Sequence, residues 1–278
     1  MKRLLAIVVV LVVFGSAGSA RAETGILIPA YFSPSQTAAW DQVKTAAARV
    51  KVSAIINPSN GPGTSRNASY AALVTSANNS GVIMIGYVFT SYGARSVAGV
   101  KADVDKYFSW YPEIKGIFFD EAQNTAGTGN AYINYYKDIR DYVKSKTSGN
   151  PMVIINPGGN TVEAYIKNPG GPTVEGWTTD VICTYESANY PGYSPSSWHA
   201  NYPMSSYFYH LPYKVPDAAT MRSYLALAVQ RNAGWVYFTD DDLPNPWDSL
   251  PSYWTAEVDA VAALSDGKPH PPSQLRFR

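Results

Sequence analysis

Three acidic residues stand directly after apolar segments of the sequence. Asp120 and Glu121 end the stretch GIFFDE, which begins at Gly116, and Glu186 follows the segment DVICTY, which contains the apolar run Val181-Ile182-Cys183. A continuous apolar run is typical of a strand buried on both faces, as in a parallel sheet covered by helices. Each acid is therefore predicted to lie where a buried strand ends. Two such carboxyl groups are what glycosidic bond hydrolysis requires: one protonates the leaving oxygen, and the other attacks the sugar or activates water.

The separation of the acids leaves the type of hydrolysis open. One predicted strand lies between those that carry Asp120 and Glu186, so a strand spacing of ~4.8 Å puts their ends about 10 Å apart. Side chains that reach inward can reach the ~5 to 5.5 Å of a retaining pair or stop at the ~6.5 to 9.5 Å of an inverting pair. The alternative interpretation is that Asp120 caps the next segment and that Glu121 and Glu186 are solvated acids.

A metal site is a further option, because hard cations bind clustered carboxylates. The spacing of the acids matches no metal-binding loop, however, and we predict neither a metal nor a cofactor. A Gly-x-Ser-x-Gly elbow, a His-Glu-x-x-His motif and a phosphate loop are all missing from the sequence. This argues against serine hydrolases, zinc peptidases and nucleotide-dependent enzymes.

Eight repeats of one unit are predicted to position the acids. In each, a β-branched and aromatic run ends in a polar residue, and an Ala-rich or amphipathic segment follows. The predicted strands are residues 26–32, 52–57, 82–89, 114–120, 152–156, 180–185, 205–210 and 234–239. The predicted helices are residues 37–50, 70–78, 97–110, 131–146, 162–166, 196–200, 218–232 and 255–264.

This repeat predicts an α/β fold, a single-domain (β/α)8 TIM barrel over residues 23–264. Such barrels have ~250 residues, and their active sites lie at the mouth formed by the C-terminal ends of the strands. A doubly wound open sheet is the competing fold, but no glycine-rich phosphate loop follows the first strand. Residues 265–278 are polar and Pro-rich and are predicted to form a flexible tail.

Polar residues at the other strand ends are candidates for binding substrate. They are Tyr31, Asn57, Tyr87, Asn156, His210 and Asp240, together with Trp247 on a Pro-rich loop over the same mouth. Two of them have equally good structural interpretations: His210 as a satisfied structural histidine, and Trp247 as packing under its loop. Strand ends also run into loops, which are polar whether or not they bind a ligand.

The first 22 residues have the layout of a secretory signal peptide. Two cationic residues precede an apolar run over residues 4–14, and Ala20-Arg21-Ala22 forms a cleavage site. We therefore expect cleavage after Ala22 and an extracellular protein. The apolar run is too short for a comfortable membrane span, so an uncleaved anchor is the minor alternative and we expect no stable membrane insertion.

Charge and cysteine content limit the possible partners. Removing Lys2, Arg3 and Arg21 with the leader leaves 19 of the 22 basic residues against 21 acidic ones. There is no basic cluster, which argues against nucleic acid as a partner. Cys183 is the single cysteine, so the chain can form no intrachain disulfide and depends on a large core for its stability. We expect the protein to be a monomer. The 21 tyrosines suit sugar rings or pack at the core edge.

Five short motifs, in order along the chain, are similar to those of a known family. They are Ile28-Pro29-Ala30-Tyr31-Phe32, Ile55-Ile56-Asn57-Pro58, GIFFDE at 116–121, Thr184-Tyr185-Glu186 and Tyr237-Phe238-Thr239-Asp240. On these motifs the sequence resembles the spherulin-4 (spherulation-specific) family, whose characterised secreted relatives form glycoside hydrolase family 135. The resemblance spans nearly the whole chain after the leader.

The resemblance implies an endo-acting hydrolase of polysaccharides that contain α-1,4-linked N-acetylgalactosamine, such as galactosaminogalactan. The family's catalytic acids fall on Asp120, Glu121 and Glu186. By analogy with barrel glycosidases, Asp120 is assigned as nucleophile and Glu186 as general acid and then base, and Glu121 as a group that binds substrate or tunes Asp120. The alternatives are a non-catalytic carbohydrate-binding or spore or cyst coat protein, and a hydrolase of another glycan.

Overall fold

Eight parallel strands form a closed barrel in which they follow one another in sequence order. The computed structural model of the chain describes residues 24–167, 177–202 and 207–265. The strands are β1 Gly25–Pro29, β2 Val52–Ile56, β3 Ile83–Phe89, β4 Gly116–Asp120, β5 Met152–Ile155, β6 Val181–Ser187, β7 Phe208–Pro212 and β8 Trp235–Val236. Because β1 pairs with both β2 and β8, the sheet has no edge. The predicted TIM barrel is confirmed, and the open sheet is excluded.

Helices surround the barrel. They are α1 Thr37–Ala47, α2 Ala68–Asn79, α3 Val97–Trp110, α4 Ala131–Lys144, α5 Ala218–Gln230 and α6 Trp254–Ser265. Side chains that accept hydrogen bonds from first-turn amides cap three of them, Asn67 for α2, Ser96 for α3 and Asp217 for α5. None of the helices in the described residues is long and apolar enough to cross a membrane.

Two predicted helices are short 3₁₀ segments in the structure. The segment predicted at 162–166 contains the 3₁₀ turn Glu163–Tyr165, and the segment predicted at 196–200 overlaps the short 3₁₀ helix Ser197–Asn201. The sequence around them is rich in Pro and Gly, which interrupt the hydrogen-bond ladder of an α-helix. The predicted leader and residues 266–278 of the predicted tail lie outside the described residues, as do residues 205–206 of the predicted seventh strand.

Strands and helices meet through close packing of apolar side chains. All five residues of β1 and all five of β2 are buried. Gly86 in β3 lets α3 approach, since a Cβ there would lie 2.6 Å from the Tyr107 ring, which is itself fully buried. Such dense packing makes the barrel a rigid support for side chains at its mouth.

Glu257 is a carboxylic acid buried between α6 and the strand β8. Its side chain is 0% exposed, and one oxygen accepts a 3.1 Å hydrogen bond from the Phe238 N–H. The other oxygen has no hydrogen-bond partner among the described residues. Burial raises the pKa of Glu257 well above its usual range, so the folded protein favours the protonated form of this acid.

We expect Glu257→Gln to raise the melting temperature near pH 8 by about 2–4 °C, the shift that ~1 kcal/mol produces in a domain of this size. The unfolded chain loses the proton above its ordinary pKa of 4.5, whereas the folded protein retains it to higher pH. Stability from this group is therefore complete below that pH and is lost as pH rises toward the folded pKa. Gln stays neutral throughout.

Thermal unfolding measured near pH 5 and near pH 8 tests this expectation. Glu113→Gln is the matched control, because Glu113 is exposed and its neutralisation leaves no buried charge to relieve. A gain for Glu257→Gln that is no larger near pH 8 than near pH 5 would contradict the buried-acid interpretation.

Candidate active site

Four of the predicted site residues meet at the C-terminal mouth of the barrel. They come from four consecutive strands: Tyr87 from β3, Asp120 from β4, Asn156 immediately after β5, and Glu186 from β6. The Tyr87 hydroxyl donates to Asp120 Oδ2 at 2.9 Å. The Asn156 amide donates to Asp120 Oδ1 at 2.9 Å and to Glu186 Oε2 at 2.5 Å. The two acids are thus brought together by a shared neighbour.

The bridging amide of Asn156 limits the distance between the two acids. One nitrogen, Nδ2, bonds both carboxylates, so the two bonded oxygens lie no further apart than the sum of the two bond lengths, 5.4 Å. The amide cannot turn away freely, because its Oδ1 accepts a 3.0 Å hydrogen bond from Gly158 N. Gly158 has φ +67, a left-handed conformation that glycine adopts without strain, and its carbonyl oxygen accepts from Glu186 N at 3.1 Å.

A β-bulge in β6 turns Glu186 toward the mouth. Cys183 pairs with Tyr209 and Tyr185 with His210, so Thr184 is an extra residue in the ladder. The Tyr185 ring packs on the outer side of the barrel, with its centroid 4.9 Å from that of Tyr190. In a strictly alternating strand, an inward Cys183 would place the residue three positions later outward. The bulge reverses this, as bulges beside active sites do.

The inward position of Cys183 is visible in its electrostatic surroundings. Burial, and then the charges of Glu186 and Asp120, raise the pKa of the Cys183 thiol well above its usual range. Cys183 is fully buried and unpaired. It therefore forms part of the floor beneath the acids and is not a reactive nucleophile.

The two acids have different numbers of hydrogen-bond donors. Burial, and then the charge of Asp120, raise the pKa of Glu186 to about 7, against a single opposing hydrogen bond from Asn156. Burial also raises the pKa of Asp120, but the Glu121 backbone N–H, the Tyr87 hydroxyl and the Asn156 amide all donate to this carboxylate and oppose the rise. Donors to the charged form favour ionisation. The proton of the pair is therefore favoured on Glu186, which is partly protonated near pH 7, whereas the three donors favour the ionised form of Asp120.

Glu121 occupies a sharp bend immediately after β4. Its φ is +50, a left-handed conformation that costs a non-glycine residue about 1 kcal/mol or more. Its carbonyl oxygen accepts hydrogen bonds from the Thr90 hydroxyl at 2.8 Å and from Tyr92 N at 2.6 Å. The Thr90 hydroxyl also contacts the Asp120 carbonyl and the Tyr136 hydroxyl, each at 3.0 Å. These contacts orient Asp120 and Glu121 differently although they are adjacent in sequence.

Tyr31 and Trp247 lie beside the acid cluster. The half-buried Tyr31 ring meets Tyr87 edge-on with centroids 5.6 Å apart, and its backbone N–H donates to the Trp247 carbonyl at 3.0 Å. Trp247 is 7% exposed and packs at 6.2 Å against both Tyr213 and Tyr237. Its packing role is evident, whereas contact with a sugar stays a prediction.

The structure contradicts the prediction that His210 binds substrate. The ring is 0% exposed and its Nδ1 lies 2.6 Å from the Tyr190 hydroxyl. Burial lowers the pKa of His210 to about 3, so it is a neutral structural histidine. The adjacent Tyr209 reaches across the barrel interior to the Leu27 carbonyl, and alternation along β7 turns His210 to the outside.

Two further candidates lie away from the acids. The carboxylate of Asp240 accepts hydrogen bonds from the Ser252 N–H and hydroxyl, which fixes the loop before α6. Asn57 Oδ1 accepts from Gly61 N at 2.8 Å and stabilises the loop after β2. Binding of substrate by Asn57 or Asp240 stays a prediction. Among the described residues, no group of three or more His, Cys, Asp and Glu side chains is arranged to hold a metal ion.

The match between this chain and known proteins extends over nearly all of the barrel. Residues 25–261 match the sequence model of spherulation-specific family 4. The chain belongs to this family. Spherulin-4 of Physarum polycephalum is 35% identical to this family member over 256 residues, which is 86% of this chain and 70% of that protein.

A solved structure shares the fold of this family member. The crystal structure of Aspergillus clavatus Sph3 in complex with GalNAc superposes with a TM-score of 0.72 at 22% identity, over 87% of this chain and 98% of that chain. At this identity the similarity demonstrates the (β/α)8 barrel.

Proposed function

We propose that this member of spherulation-specific family 4 is a secreted, monomeric, endo-acting glycoside hydrolase. Its proposed substrate is a polysaccharide that contains α-1,4-linked N-acetylgalactosamine, such as galactosaminogalactan. The observation that carries the proposal is the Asp120 and Glu186 pair, joined by the Asn156 amide with bonded oxygens within 5.4 Å. The leader-like first 22 residues support secretion, and the GalNAc-bound Sph3 structure supports the choice of sugar.

The carboxylate separation favours a retaining mechanism. Retaining pairs lie ~5 to 5.5 Å apart, whereas inverting pairs lie ~6.5 to 9.5 Å apart and leave room for a water molecule between the general base and the anomeric carbon. The limit of 5.4 Å set by Asn156 fits the first arrangement. The unequal protonation of the pair also matches the two roles, because the acid must arrive protonated and the nucleophile ionised.

In the first step, an Asp120 oxygen attacks the anomeric carbon while Glu186 transfers its proton to the glycosidic oxygen. The bond between the anomeric carbon and the glycosidic oxygen breaks. The shortened chain leaves as an alcohol, and the sugar is held as an ester of Asp120. In the second step, ionised Glu186 removes a proton from water, whose oxygen attacks the anomeric carbon and frees Asp120. Two inversions restore the original configuration. Glu121 lies beside Asp120, and it contacts the sugar or modulates the charge of Asp120.

Release of reducing ends from galactosaminogalactan by the purified protein tests the activity. We expect the parent protein to release reducing ends and the Glu186→Gln variant to release none. NMR of the first product should show the α anomer before mutarotation. An initial β anomer would make Asp120 a base that acts through water. Binding of the polysaccharide without any release of reducing ends would favour the non-catalytic carbohydrate-binding or coat protein.

A further inference from the structure

A groove of about 920 Å³ opens between α1 and α2 beside the barrel mouth. We call it the α1–α2 groove and define it by six of its lining residues: Tyr31, Ser35, Trp40, Asn57, Ser69 and Tyr70. Its volume is in the upper part of the range of ligand-binding clefts, ~300 to 1,000 Å³. The groove is therefore large enough to hold a ligand and is not a packing defect.

The α1–α2 groove adjoins the acid cluster at Tyr31. Tyr31 lines the groove, and its ring meets Tyr87 edge-on at 5.6 Å. The Tyr87 hydroxyl in turn donates a hydrogen bond to Asp120. Asn57, at the end of β2, lines the groove from the neighbouring strand. A chain bound at Asp120 and directed past Tyr87 therefore enters this groove.

The lining of the groove suits a neutral sugar chain. The half-buried ring of Tyr31 supplies accessible aromatic surface, with the buried side chains of Trp40 and Tyr70 behind the lining. Hydroxyl and amide groups of Ser35, Asn57 and Ser69 also line the groove, and tyrosine combines an apolar face with a polar tip. The charged lining residues Asp41 and Lys44 form an ion pair at 3.1 Å, so their opposite charges cancel. A groove of this kind neither attracts nor repels a chain by net charge.

The wall formed by the start of α2 is ordered before any ligand binds. The Asn67 side chain accepts hydrogen bonds from the backbone N–H groups of Ser69 and Tyr70, and Asn57 holds the preceding loop through Gly61 N. A preformed wall lowers the entropy lost on binding.

We propose that the α1–α2 groove binds neutral sugar residues of the polysaccharide that lie several units away from the cleaved bond. This inference rests on the proposed hydrolase function and deepens it. Binding at a distance from the acids makes long chains better substrates than short ones, because remote contacts contribute binding energy that a short chain lacks. It also directs cleavage to internal bonds.

Filling the groove tests the proposal. Ser69 is exposed, lies on α2 and lines the groove, whereas Thr75 is exposed on the same helix but does not line it. We expect Ser69→Trp to lower the ratio of kcat/KM on an N-acetylgalactosamine polymer to kcat/KM on the corresponding trisaccharide about tenfold, equal to ~1.4 kcal/mol of lost binding. Thr75→Trp should leave this ratio unchanged.

Two outcomes have definite meanings for variants whose melting temperature matches the parent protein. An unchanged ratio in Ser69→Trp, whether neither substrate or both substrates are cleaved more slowly, would overturn the groove proposal and leave the hydrolase function intact, since a distal site distinguishes chain lengths. If the parent protein cleaves neither substrate, the proposed function fails. Retardation of each variant by the polymer in native gels then tests the groove proposal. Weaker retardation of Ser69→Trp than of Thr75→Trp supports the proposal, and equal retardation overturns it.

Discussion

Replacing Asp120 with Asn or Glu186 with Gln is expected to reduce kcat on the polysaccharide by about 10⁴-fold or more, the scale seen when a catalytic group is removed from an intact site. Asn cannot form the ester with the sugar, and Gln has no proton to donate to the leaving oxygen. Both replacements keep the shape of the side chain, and a carbonyl oxygen remains to accept the Asn156 amide hydrogen bond. Stopped assays of reducing ends, with thermal unfolding as a check on folding, measure the effect.

Glu121→Gln is the comparison for this pair. The bend at Glu121 is held by backbone contacts to Thr90 and Tyr92, which Gln retains, so we expect a smaller loss of kcat or a larger change in KM than in kcat. Near-parental turnover in Glu186→Gln would remove the hydrolase assignment from this site.

Azide separates the roles of the two acids. In Asp120→Gly the small anion can attack the anomeric carbon directly and yield a glycosyl azide of inverted configuration. In Glu186→Ala, azide instead replaces water in the second step, and the product has retained configuration. The reverse pattern would exchange the two assignments.

Removing the bridging amide is expected to move the whole pH profile of kcat/KM to higher pH. Activity needs ionised Asp120 and protonated Glu186, so it falls as pH drops through the first pKa and as pH rises through the second, about 7. The Asn156 amide stabilises both ionised forms, so its loss raises both pKa values. We expect Asn156→Ala to shift both limbs upward and to lower kcat/KM at the optimum about 10- to 100-fold, the value of a hydrogen bond to a charged group.

Tyr87→Phe is the matched variant for this measurement. Its hydroxyl donates to Asp120, and no hydrogen bond joins it to Glu186 in the cluster. The acidic limb should therefore move upward while the alkaline limb stays near 7. An Asn156→Ala profile with an unmoved alkaline limb would show that the amide does not control Glu186.

The sequence predicts the barrel well because its signal is repeated. Each buried strand is an apolar run, and helix α3 begins and ends at the predicted residues, Val97 and Trp110. The convergence of Asp120 and Glu186 follows from the fold, since strand ends meet at one mouth. The local details have no such repeated signal.

Three features of the site are not visible in residue types alone. The bulge at Thr184 adds one residue to a run that is apolar with or without it. The left-handed bend at Glu121 depends on Thr90 and Tyr136, which lie 31 residues before it and 15 residues after it in the chain. His210 is polar and ends the predicted strand, yet alternation in a fully buried strand leaves its direction unmarked until Tyr209 is seen to point inward.

The bulge in β6 also means that an intact set of acids is not proof of an intact enzyme. A relative of the same length whose sixth strand paired regularly, without a bulge at the counterpart of Thr184, would keep all three acids in its sequence, yet its glutamate would face the outer side of the barrel. A relative one residue shorter at that position would need no bulge, because its glutamate would stand two residues after the cysteine and face inward. The pairing of the strand, read together with the number of residues between Cys183 and Glu186, is therefore the informative character when family members are compared.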